Sequence, residues 1–282
     1  MELSEHSKES LRALTAWWED AGVSVDQKSI DRILKVGSAP KQPARTASDP
    51  SSPSAPAAAP QSSSARAKAK AEGPLTKARA LADGATTLEA LRAAIEGFDG
   101  CDLKTTASKT VIADGNPAAD IMVIGEGPGR DEDKEGRPFV GNAGHLLDRM
   151  LASIGLSRKE NTYITNVNYW RPPGNRNPSE DELAICRPFV DKHIALVKPK
   201  LIIAAGTVTA KSLLGVEEGI TRLRGRQFDL TVPGLSSPVP VFPIFHPAYL
   251  LRRPAEKAKA WSDLLNILNT LETLGIAPDK RP

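Results

Sequence analysis

The chain has 282 residues, 40% apolar and 25% charged, with 37 Lys and Arg against 34 Asp and Glu. A formal charge of +3 excludes a polycation but leaves room for one basic face, and two cysteines exclude both a disulfide framework and a four-thiolate metal site within one chain. The first residues, MELSEHSKES, are polar and mixed in charge, unlike a secretory leader, and no apolar run nears the roughly 20 residues of a membrane helix, so a soluble, cytoplasmic, reduced protein is expected.

Leu11, Leu14, Trp17 and Trp18 lie at helical spacing and Gly22 is a stop signal, which predicts a helix over residues 4–20. It belongs to an N-terminal helical segment, 1–36, suited either to docking a partner protein or to packing on the core. Over 37–73, Pro40, Pro43, Pro50, Pro53, Pro56 and Pro60 alternate with Ala and Ser, and Arg66, Lys68 and Lys70 follow. Such a stretch has little to bury and reads as a disordered linker. Residues 74–282 are expected to form the compact domain. Leu88, Leu91, Ala94 and Ile95 predict a helix, and the apolar run 121–124 predicts a strand buried on both faces. A helix over 142–154 turns Leu146, Leu147, Met150 and Leu151 inward, and a second strand covers 163–167. Ser179 and Glu182 form a capping box that opens a helix ending near Val197. Strands over 201–205 and 239–245 and a last helix over 254–271 complete the pattern. This alternation predicts a three-layer α/β/α sandwich around a central, mainly parallel four-stranded sheet. In such sheets the site lies beyond the carboxyl ends of the strands, here at Gly125, Asn166, Gly206 and His246.

Gly125, Glu126, Gly127, Pro128 and Gly129 make a turn that lets backbone approach a ligand. No Gly-Lys-Ser/Thr follows and Pro128 delays the next helix, so it is neither a P-loop nor a dinucleotide fingerprint. Glu126 at a buried strand end is costly unless it is paired or has a chemical task. The charged loop after it ends at Phe139, either core or a stacking platform for a flat ligand. Asn166 offers one acceptor and two donors, which match the O4/N3–H edge of uracil or, alternatively, cap a turn. Arg171 and Arg176 flank Gly174 in a proline-stiffened loop, which suits phosphate contacts or a solvated surface. His246 is followed by Pro247, Ala248, Leu250, Leu251 and Arg252, an order that fits a catalytic imidazole beside an apolar wedge and a phosphate anchor.

In this order and spacing the stretches resemble the uracil-DNA glycosylase superfamily, closest to its family 4, from about residue 98 to about residue 268. The resemblance implies hydrolysis of the N-glycosidic bond of deoxyuridine in DNA, starting base excision repair by base flipping and stabilisation of the uracil anion. A non-catalytic module that binds uracil or abasic DNA is the alternative. The resemblance implies Glu126 and His246 as catalytic residues. It puts Gly125, Gly127, Glu132, Phe139 and Asn166 around the uracil, with Glu132 excluding the methyl group of thymine. It puts Pro128, Gly129, Asn142, Arg171, Arg176, Pro247, Ala248, Leu250, Leu251 and Arg252 on the DNA. The implied partner is uracil-containing DNA, double- or single-stranded, taken by a monomer. Family 4 members usually hold a [4Fe–4S] cluster through four cysteines. The matching positions here are Phe98, Cys101, Trp170 and Cys186, so no metal and no cofactor are expected.

Overall fold

The computed structural model describes residues 63–276. The predicted N-terminal helix and most of the predicted linker lie outside the described residues. The chain divides into two units, 1–68 and 69–282, and the architecture below is that of the second. Helix α1 (Ser63–Gly84) begins inside the stretch expected to be a linker, so residues 63–73 are helical in backbone. The alternating alanines there have the highest intrinsic helix propensity.

Helix α2 (Leu88–Gly97) starts where the Thr87 hydroxyl accepts from the Ala90 N–H, and it buries Leu91 and Ile95. Strands β1 (Ala113–Gly115) and β2 (Ile121–Gly125) follow, then the short helix α3 (Arg130–Glu135) and helix α4 (Asn142–Ser153). Strand β3 (Thr162–Asn166) leads to helix α5 (Glu180–Val197), opened by the Ser179–Glu182 capping box. Strand β4 (Leu201–Ala205), helices α6 (Thr207–Leu214) and α7 (Ile220–Leu223), and strands β5 (Phe228–Leu230) and β6 (Val239–Ile244) complete the sheet. Helices α8 (Pro247–Arg252) and α9 (Lys257–Thr273) close the unit.

The sheet has six strands in the order β1-β3-β2-β4-β6-β5. Its parallel heart, β3-β2-β4-β6, is the four-stranded sheet expected from sequence. The correction lies at the edges: β1 and β5 add antiparallel pairings to β3 and β6. Both are three residues long and only partly buried, too short for any periodicity to register. Every residue of β2, β3 and β4 is buried, because helices cover both sheet faces. Side chains alternate across the pleat. Met122, Ile124, Ile202 and Ala204 join Leu91, Ile95, Phe189 and Ile194 of α2 and α5 in one core. Ile121, Val123 and Ile203 point the other way and are fully buried as well. This clamped sheet fixes its strand ends, and Gly125 of β2 pairs in register with Asn166 of β3 at the same carboxyl edge.

Candidate active site

A cleft of about 390 Å³ opens at that edge. Its walls include Glu126, Gly127, Pro128, Gly129, Glu132, Phe139, Asn166, Arg176, His246, Ala248 and Arg252, so four segments that are remote in sequence converge as the strand-end argument required. Gly125 lies beneath. A Cβ there would overlap the Phe139 ring and the Asn166 carboxamide, so the missing side chain is the space those two groups occupy.

The Asn166 side chain is 2% exposed. It lines the cleft, and no hydrogen bond from its carboxamide is seen among the described residues. Leaving a buried amide unpaired costs roughly 1–3 kcal/mol, which a ligand with a matching polar edge would recover. Phe139 holds its backbone at φ 55°, a left-handed conformation that costs a bulky residue on the order of 1–3 kcal/mol. Arg158 holds it there. Its guanidinium donates to the carbonyls of Pro138 (3.2 Å) and Phe139 (2.7 Å) and pairs with Asp114 and Asp148. Sequence reasoning missed Arg158, because nothing local marks a residue whose partners lie up to 44 positions away.

His246 is the N-cap of α8, and its Nδ1 accepts from the Ala248 N–H at 3.2 Å. An accepting Nδ1 carries no proton, so the neutral ring bears its proton on Nε2. Burial by the cleft walls lowers the pKa of His246 to about 4, and the charge of Arg252 pushes the same way. The imidazole is therefore a neutral N–H donor at neutral pH. It lies against Phe139, with ring centroids 5.6 Å apart and planes 25° from parallel. Burial raises the pKa of the Glu126 carboxyl above its ordinary value, the condition of a base poised to take a proton.

The structure gives Glu132 a task not foreseen. One carboxylate oxygen accepts from the N–H groups of Val140 (3.0 Å) and Gly141 (3.1 Å), the other from Gly129 (3.1 Å). It thus ties the glycine turn to the Phe139 loop, and the Gly129 N–H is already used. Buried Asp133 anchors the same helix by accepting from Ser108 and Lys109 N–H groups. Glu132→Ala is accordingly expected to destabilise the protein by about 1–3 kcal/mol and to lower processing of the cognate base before any second base is accepted. Thermal denaturation and a comparison of the two bases measure both effects.

The remaining expected DNA contacts divide. Leu250 is withdrawn from the contact surface, because it is 1% exposed and turned inward, whereas Leu251 is 42% exposed. Pro247 is also buried and serves as the first turn of α8. Asn142 and Arg171 line a neighbouring recess with Arg130 and Asn175. Arg171 donates to Asn175 at 2.7 Å and Arg176 is forked onto Glu182. Arg252 is exposed at the cleft mouth with no ion pair among the described residues.

A sequence profile of the uracil DNA glycosylase superfamily matches residues 112–265, which span the sheet and every wall of the cleft. A type-4 uracil-DNA glycosylase of Archaeoglobus fulgidus is 40% identical over 171 residues, 59% of this chain and 84% of that protein. Those of Sulfurisphaera tokodaii and Pyrobaculum aerophilum are 38% and 35% identical, over 60% and 63% of this chain and 77% and 91% of theirs. With the match running through Gly125, Asn166 and His246 alike, the chain belongs to the uracil DNA glycosylase superfamily.

Proposed function

We propose that this chain is a monofunctional uracil-DNA glycosylase, in which water replaces uracil at the deoxyribose C1′ and leaves an abasic site. The observation that carries the reading is the buried Asn166 carboxamide, unpartnered among the described residues, in one cleft with a neutral imidazole and a carboxyl of raised pKa. Uracil offers an acceptor and an N–H on one edge, which Asn166 can satisfy from both ends of its amide. Phe139 supplies the apolar face against which the flipped ring stacks. As the N1–C1′ bond breaks, its electron pair moves onto uracil and the sugar becomes cation-like. The Nε2–H of His246 donates to the oxygen on which the negative charge gathers. The Glu126 carboxylate accepts a proton from the water that bonds to C1′, and the uracil anion is later protonated by solvent. Extruding the base costs a few kcal/mol, and Leu251, exposed and next in the chain to Arg252 of the cleft lining, is the side chain available to fill the vacated stack, with Arg252 on the phosphates.

The test is incubation with a uracil-containing oligonucleotide followed by alkali. Strand scission at the uracil supports the reading. Binding without scission would favour a module that holds uracil or abasic DNA without turnover. The active form is read as a monomer acting on uracil-containing DNA, and a cytoplasmic location accompanies this reading. Among the described residues no helix is long and apolar enough to cross a membrane.

The pH dependence follows from the two shifts. Glu126 must be ionised to take a proton, and burial raises its pKa. Excision is therefore expected to fall on acidification at a pH above the ordinary carboxylate range. His246 stays neutral above about 4 and adds no alkaline limb. Glu126→Gln should flatten the acid limb at a low rate, and an unchanged pH–rate profile in that variant would remove Glu126 as the base. Leu251→Ala is expected to slow excision from duplex DNA about tenfold and from single strands little, since only the duplex must be unstacked. Leu250→Ala should instead lower stability by about 2–5 kcal/mol. Equal duplex and single-strand losses in Leu251→Ala would argue against a wedge.

A further inference from the structure

Phe98 after α2, Cys101, Trp170 after β3, and Cys186 on α5 belong to one buried cluster. These are the positions to which the family resemblance assigns cluster ligands, and the residues present do not fit one. A cubane cluster takes four thiolates, and the chain has two cysteines. Among the described residues no three His, Cys, Asp or Glu side chains converge as metal ligands. His193, which packs against Tyr169, has its Nδ1 within hydrogen-bond distance of Tyr169 Oη (3.1 Å) and the Phe189 carbonyl (3.2 Å).

Packed rings occupy the place instead. Phe98 and Trp170 are both 0% exposed and stack at 6.3 Å with planes 29° apart. Phe189 meets Phe98 edge-on at 5.3 Å, and Tyr169 meets Trp170 edge-on at 6.0 Å. The Trp170 indole donates to Thr110 Oγ1 at 3.0 Å, so its one polar atom is satisfied. Cys101 and Cys186 are buried thiols close enough to alter each other's acidity.

The polar member of this cluster is Asn168, 0% exposed. Its Nδ2 donates to the Trp170 carbonyl at 2.7 Å, and its Oδ1 accepts from the Trp170 N–H at 3.3 Å and faces the Cys186 thiol at 3.9 Å. On its other side it underlies the catalytic turn. A Cβ on Gly127 would stand 3.1 Å from Asn168 Nδ2 and 3.6 Å from its Cβ. One carboxamide thus bonds within the aromatic joint and stands where a side chain on the residue after Glu126 would have to go.

We infer that this protein joins the Phe98 and Trp170 segments by a metal-free aromatic clamp, and that Asn168 is a positioning residue that transmits the order of the clamp to the Glu126 turn. The clamp replaces a bonded joint with a packed one, so its strength comes from contact area and ring geometry rather than from ligand exchange. The kinetic half of this inference rests on the proposed excision activity; the metal half does not.

Two measurements on the full-length protein decide it. Protein purified without oxygen is expected to show no stoichiometric iron and no visible iron–sulfur absorption. About four iron atoms per chain would overturn the clamp. The positioning role is read from a double-mutant cycle in uracil excision, with wild-type turnover as the control that separates it from failure of the functional reading. Gly127→Ala and Asn168→Ser are each expected to lower kcat about tenfold with KM within about twofold. Together they should lose clearly less than the product of the two, because the shorter side chain clears the atoms the new Cβ meets. Strict multiplicativity, or losses confined to KM, would overturn it. Should Asn168→Ser fail to fold, Asn168→Ala removes the same atoms and serves in the same cycle.

Discussion

Replacing His246 with alanine is expected to lower single-turnover excision of uracil by about 10²–10³-fold, the loss typical of one oxyanion donor. Affinity for uracil-containing DNA should stay within a fewfold. The argument begins with the cap: the Ala248 N–H holds Nδ1 as an acceptor, so the proton sits on Nε2. The low pKa of the ring keeps it neutral, so it favours the uracil anion as charge develops without drawing in a counter-ion beforehand. Such an interaction grows between ground state and transition state and appears in rate rather than in binding. His246→Asn is the informative companion, because asparagine still caps α8 but is too short to reach the base. It should lose rate while keeping the thermal stability of the parent. A rate within tenfold of wild type in both variants would remove His246 from this role. A parallel loss of affinity would assign it to binding.

Trp170→Ala is expected to destabilise the protein by about 3–5 kcal/mol, and Phe98→Ala by a similar amount, the range for large aromatic residues cut from a packed core. Both side chains are fully buried, and Trp170 also gives up its bond to Thr110. Because the rings stack on one another, the double variant should cost less than the sum of the two. Urea denaturation of the three variants measures this. Losses below about 1 kcal/mol in both single variants would show that something other than these rings joins the two segments.

The parts of the fold legible in the sequence are those whose burial is complete. The runs 121–124 and 201–205 read as strands because every side chain of β2 and β4 is enclosed, and a parallel sheet with two covered faces leaves no polar alternation to confuse them. The edge strands β1 and β5 were illegible for the opposite reason. They are short and half-buried, and their existence depends on a neighbour strand remote in the chain. Helix α3 stayed hidden in a charged loop, since its hold on the fold is the buried Asp133 carboxylate meeting two N–H groups 24 and 25 residues earlier.

The sequence by itself determined which chemistry-bearing residues stand at strand ends, and therefore that Glu126, Asn166 and His246 share one cleft, whereas Phe139 joined them only through the family resemblance. It also determined that two thiols cannot hold a four-thiolate cluster. Only the tertiary structure decided which nitrogen of His246 carries the proton, that Leu251 rather than Leu250 faces outward, that Glu132 ties two loops together, and that Asn168 lies between the aromatic joint and Gly127. The physical reason is range. Hydrophobic periodicity and capping act within a few residues and leave their mark in the local sequence. The direction of a side chain and the partner of a buried polar group are set by whatever the fold brings beside them, and they carry no such mark.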